Sequence, residues 1–147
     1  SIVALCDVDR AVAEQRRTEL APDARVFTSL DELLATERID FIDILTPPAV
    51  HAAHVRAAAA ADLHVICQKP ITLELAEGRA LVADLRGRRR LFSIHENHRY
   101  RPWFMEVRRR FSEGFFGRPR YLRLEQLDPY EAQQTFKTTA ARGVMME

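Results

Sequence analysis

Glycine is scarce in this chain. There are five among 147 residues, and none forms a G-x-G-x-x-G run. A phosphate-cradling turn of that kind is therefore excluded within these residues. Cysteine is nearly as rare. Cys6 and Cys67 each lie in an apolar, strand-like run, which excludes a disulfide framework. They read as small buried hydrophobes in a reducing compartment, and the expected location is cytoplasmic. No apolar stretch approaches the roughly 20 residues of a membrane span, and no signal peptide opens the chain, so no membrane partner is expected. Charge of one sign is lacking too. A net charge of +1 provides no global field towards nucleic acid. Arginines do gather at 86–90 and 108–110. The first group reads as a helix end, where cations suit the dipole, and the second as a solvated helix face. No nucleic-acid partner is expected.

What is present is alternation. Apolar residues make up 47% of the chain, enough to bury a core at this length. Ile2 to Cys6 reads as a strand, and Asp9 caps a helix through about Leu20. Arg25 to Phe27 is a short strand. Ser29, with Glu32 three residues on, has capping-box spacing. Phe41 to Leu45 is a strand stopped by Pro47-Pro48. An alanine-rich helix follows from about Ala49 to Ala61, then a strand from Leu63 to Cys67. A helix from Thr72 to about Arg86 and a strand from Leu91 to His95 complete the series. Strands alternating with long helices predict βαβ units and a parallel sheet. Their near-continuous apolar runs predict that both faces are covered. After Asn97 the pattern changes. Pro102 begins a helix to about Glu113, and Arg120 to Gln126 alternates as an antiparallel strand would. The expected fold class is α/β, an incomplete Rossmann-like parallel sheet over 1–98. The start of an α+β domain with an open antiparallel sheet follows over 99–147.

Polar residues cluster where the strands stop. Asp7 closes the first strand. An acid at such a position can accept hydrogen bonds from an adenosine ribose, or can simply cap the next helix, although Asp9 is better placed for that. Thr46 offers a hydroxyl at a strand tip, Pro47 and Pro48 stiffen the turn, and His51 follows one helical turn on. The plainer reading there is a structural loop, and a metal held by His51 and His54 lacks further ligands nearby. Gln68-Lys69-Pro70 ends the third long strand. A lysine there can hydrogen-bond a substrate hydroxyl and assist its proton transfer while hydride leaves carbon, or can serve only the turn. His95 to Pro102 is dense in polar groups, either a wet interdomain hinge or a rim facing cofactor and substrate.

Taken in order, Asp7, Thr46-Pro47-Pro48 with His51, Gln68-Lys69-Pro70 and Asn97-His98-Arg99-Tyr100-Arg101-Pro102 resemble the Gfo/Idh/MocA family of NAD(P)-dependent oxidoreductases. The resemblance implies hydride transfer between a nicotinamide cofactor and a sugar, polyol or related hydroxyl compound. It implies that Asp7 binds the adenosine ribose, and that Thr46, Pro47, Pro48 and His51 line the cofactor groove. Lys69 becomes the catalytic lysine, contacting the nicotinamide ribose and the substrate; Gln68 beside it belongs to the cofactor-binding set, and Asn97 touches the cofactor side of the site. A homo-oligomer is implied for the full-length form. Gln68 stands where the family pattern has Glu, removing a charge beside Lys69. That change leaves room for a non-catalytic regulatory relative that binds a nucleotide or sugar. Asp7 favours NAD, with NADP possible because Arg10 is near. The phosphate loop is expected upstream of Ser1 and an acid/base histidine past Glu147. The chain is therefore expected to be a fragment, inactive by itself.

Overall fold

The computed structural model describes residues 1–125. The chain divides into a first unit, Ser1–His95, and a second that begins at Glu96. The first unit runs β1 (Ala4–Cys6), α1 (Arg10–Leu20), β2 (Arg25–Phe27), α2 (Leu30–Thr36) and β3 (Phe41–Ile44). It continues with α3 (His51–Ala60), β4 (His64–Cys67), α4 (Leu75–Leu85) and β5 (Phe92–Ile94). This is a Rossmann-like α/β arrangement.

Local chemistry sets where the helices begin. The Asp9 carboxylate accepts the Ala11 amide at 2.8 Å, and the Ser29 hydroxyl accepts that of Glu32 at 3.5 Å. Each satisfies an amide that the first helical turn leaves unpaired. Pro47 is extended, and Pro48 opens a single 3-10 turn, Pro48–Val50, that leads into α3. A proline costs nothing there, because no carbonyl precedes it to bond. Helix α4 starts at Leu75, later than the expected Thr72. The Thr72 hydroxyl instead donates to the Glu74 carbonyl at 2.9 Å, shaping the entry loop. Gly78 lets that loop approach; a Cβ there would stand 2.9 Å from the Thr72 hydroxyl.

The strands form two parallel sheets. β1 pairs with β2, with Cys6 opposite Phe27. β3, β4 and β5 pair in that order, with Ile44 opposite Cys67 and Cys67 opposite Ile94. Among the described residues no ladder joins β1 to β3. The core lies on one face of the three-stranded sheet, where Ile44, Val65 and Cys67 meet Ala52, Val55 and Ala58 of α3 and Leu81 of α4. Small side chains let α3 sit close to the sheet. The expectation that both faces are covered does not hold for the described residues. Phe41, Leu45 and Leu91 on the other face are more than half exposed, because α3 and α4 both pack on the Cys67 side.

In the second unit, a 3-10 turn at Asn97–Tyr100 precedes α5 (Pro102–Ser112). Gly114 and Gly117, at φ +74° and +61°, turn the chain out of the helix, a backbone geometry that glycine adopts without steric cost. Residues 121–125 form no strand. The expected antiparallel segment finds no neighbour to pair with among the described residues, and its last residue, Gln126, lies outside them. The arginine clusters are engaged locally. Arg88 donates to the Ala59 carbonyl at the end of α3, and Arg90 pairs with Asp62. Arg109 and Arg110 hydrogen-bond to Glu106, which pulls the Glu106 carboxyl down to about 2.

Leu81 is fully buried. Leu81→Ala is expected to destabilise the chain by about 2–5 kcal/mol through lost burial and a residual cavity, read as a lower urea midpoint with unchanged slope. Burial pushes the Cys67 thiol up to about 11, with the Asp43 charge adding to it, whereas Cys6 is exposed. Brief treatment of the native chain with iodoacetamide should label Cys6 and spare Cys67. Equal labelling of both by peptide mass spectrometry would contradict this core.

Candidate active site

Because β3, β4 and β5 run the same way, they all stop at one edge of their sheet. The ladder continues to the strand tips. The Gln68 amide donates to the Ile44 carbonyl at 2.8 Å, and the His95 amide to the Cys67 carbonyl at 2.8 Å. The turn carrying Thr46 and the turn carrying Lys69 therefore leave neighbouring strands together. The carboxyl edge of such a sheet is where α/β folds bind ligands.

In the second of these turns, the Gln68 side-chain oxygen accepts the Lys69 amide at 2.8 Å. A carboxylate could accept that bond equally, so glutamine keeps the turn-shaping acceptor while dropping the charge. The Lys69–Pro70 peptide is cis. Lys69 is exposed at the strand tip, and Gln68 and Pro70 are half-buried beside it.

His51 differs from its expected place along a groove wall. It is fully buried. Its Nε2 stands 2.6 Å from the Thr46 carbonyl oxygen and its Nδ1 2.8 Å from that of Pro70. The ring is thus enclosed between the two turns, with no edge left for a ligand. The sequence holds a signal for this. His51 shares the i, i+4, i+7 stripe with Val55 and Ala58, both wholly buried, so helical periodicity alone assigns it to the inner face. Next to it, His54 Nδ1 lies 3.3 Å from the Thr46 hydroxyl. Burial holds His54 below the ordinary imidazole value; His51 pushes the same way and Asp31 partly offsets them. His54 is accordingly neutral at neutral pH.

The remaining site residues are less closely gathered. Asp7 follows β1 at the carboxyl end of the two-stranded sheet. One of its oxygens accepts the Asp9 amide at 2.9 Å, so its other oxygen can take a further donor. Local turn formation and ligand contact are therefore compatible at Asp7. Asn97 is exposed and opens the 3-10 turn of the second unit. One polar pair was not anticipated. Asp43 lies on the uncovered face of β3, and its Oδ1 is 3.3 Å from Nε2 of His95 beyond β5. The break in Phe41-Ile42-Asp43-Ile44 was its signal, since a carboxylate at every-other spacing from Phe41 must share that face.

Much of the chain resembles known oxidoreductases. The family model described as "Oxidoreductase family, NAD-binding Rossmann fold" matches residues 1–96. D-apiose dehydrogenase of Paraburkholderia graminis is 37% identical over 122 residues, covering 80% of this chain and 31% of that protein. UDP-N-acetylglucosamine 3-dehydrogenase of Acidithiobacillus ferrooxidans is 34% identical, covering 80% and 36%. Among solved structures, an Agrobacterium radiobacter oxidoreductase in complex with NAD+, L-tartaric acid and magnesium superposes with a TM-score of 0.77. Its identity is 29%, with 81% of this chain and 34% of that one covered. The chain thus spans about a third of the length of these relatives. On the match over residues 1–96, this chain belongs to the Gfo/Idh/MocA family of NAD-binding oxidoreductases.

Proposed function

We propose that these residues form part of the cofactor-binding core of a dehydrogenase acting on a sugar, polyol or related hydroxyl or keto compound. The observation that carries this reading is the pairing of the Thr46 and Lys69 turns at the carboxyl edge of one parallel sheet. The chain's donor set suits a nicotinamide dinucleotide in part. Asp7 retains a carboxylate oxygen for ribose hydroxyls, Thr46, Pro47 and Pro48 shape the edge, and Gln68 and Lys69 stand on the adjoining strand. Asp7 disfavours a 2′-phosphate, so NAD suits the site better than NADP. Asn97 is assigned to the same cofactor side on the family pattern alone.

When bound, the nicotinamide supplies the hydride acceptor or donor. Lys69 binds the substrate oxygen by hydrogen bond and, as the neutral amine, takes its proton on the nitrogen lone pair as the alcohol becomes a carbonyl; in the reverse direction the ammonium returns it. Gln68 holds the Lys69 backbone and lends it no charge. A homo-oligomer in the cytoplasm is the setting the family resemblance suggests.

Lys69→Ala separates this reading from a non-catalytic regulatory relative, which the Gln68 replacement favours. In a polypeptide of the relatives' full length built around this chain, turnover should fall by about 10²–10⁴-fold while NADH still binds. Unchanged turnover would remove Lys69 from the chemistry. The 147 residues alone contain no glycine-rich phosphate loop. We expect them to show no hydride transfer when NADH absorbance is followed with sugar and polyol substrates.

A further inference from the structure

We propose that His51 is the positioning residue of this site, a buried brace that fixes the Lys69 turn against the Thr46 turn. It contacts neither cofactor nor substrate. It joins two segments that the backbone connects only through a helix and a strand. On one side it meets the Thr46 carbonyl at 2.6 Å, five residues back, and on the other the Pro70 carbonyl at 2.8 Å, nineteen residues on. Pro70 follows Lys69 directly, so fixing its carbonyl fixes where the lysine leaves the strand. Both carbonyls lie beyond the last sheet pairings of their strands, and the His51 ring N–H gives at least one of them the partner that a backbone acceptor needs. The ring, wholly buried itself, is satisfied in return. His54, contacting the Thr46 hydroxyl at 3.3 Å, holds the same turn from its side chain. Thr46 is thus tied at both its carbonyl and its hydroxyl, and its turn cannot drift without breaking one of them.

The importance of such a brace follows from how steeply transfer chemistry depends on placement. An error of about 1 Å can cost roughly a hundredfold in rate. The positioning role rests on the reading of Lys69 as the reacting lysine; the brace itself does not. A neutral imidazole carries one N–H and the cationic ring carries two, so only the cationic ring donates to both carbonyls at once.

Nitrogen-15 spectra of the histidine rings in the 147-residue chain test the brace directly. His51 should show a ring N–H protected from exchange with water. Exchange of that N–H as fast as at exposed His98 would overturn the brace. His51→Phe keeps the ring volume and removes the ring N–H, and should shift the backbone amides of Thr46 and Lys69 together. Val55→Ala, which hollows the same helix without touching either carbonyl, should leave those amides in place; equal shifts from both variants would mean a merely structural histidine. His51→Gln retains an N–H donor and should recover part of the Phe effect; should the Phe variant not fold, the Gln variant and the wild-type ring spectra decide. In a polypeptide of the relatives' full length, His51→Phe should lower kcat roughly a hundredfold, with KM moving far less and His51→Gln recovering part of the loss. An unchanged kcat would overturn the positioning role. A wild-type full-length protein without hydride transfer would defeat the proposed function while the ring spectra still judge the brace.

Discussion

Parallel pairing of β3 with β4 governs the rest of the first unit. Two neighbouring strands that run the same way must be joined by a crossover, and α3 is that crossover. The helix has to lie close over the sheet it spans, and beyond His51 at its start its buried residues are the small Ala52, Val55, Ala58 and Ala59. Burying a side chain such as Val55 stabilises by about 1.5–3 kcal/mol, so the register is held by packing as well as by the ladder. Once that register is set, with Ile44 opposite Cys67, the two turns that follow have no choice but to emerge side by side. The chemistry proposed for Lys69 is a consequence of strand direction before it is a consequence of lysine.

The glutamine beside that lysine shows how one side chain can combine two duties that separate on substitution. A carboxylate at this position offers a hydrogen-bond acceptor and a negative charge. Gln68 retains the first, at 2.8 Å from the Lys69 amide, and discards the second. The turn is therefore kept while the electrostatics near the ammonium change. Departure from a family pattern at one residue is in this sense a change of tuning within an intact geometry.

Much of this was legible in the residue order, and the reasons differ by feature. Helix starts at Asp9 and Ser29 were readable because capping is a contact within a few residues. The strands were readable because unbroken apolar runs between helices have few other uses. Thr72 misled, since its hydroxyl shapes the loop ahead of α4 and does not cap the helix. The division into two sheets was not readable, because it depends on which strands find a neighbour. His51 was misplaced for a related reason. His51 falls within the helix expected from about Ala49, and only its phase with Val55 and Ala58 reveals the inner face. The Arg120 to Gln126 alternation predicted a strand, but alternation supplies only a face, and a strand also needs a partner.

The lack of a ladder between β1 and β3 among the described residues has an effect outside the site. β1 and β3 each have one edge with no strand partner among the described residues, and Ile2, Val3, Phe41 and Leu45 in or beside those strands are exposed. Such edges are templates for any extended peptide that arrives. Where such an edge stays uncovered, pairing between chains competes with folding, and the competition grows with concentration.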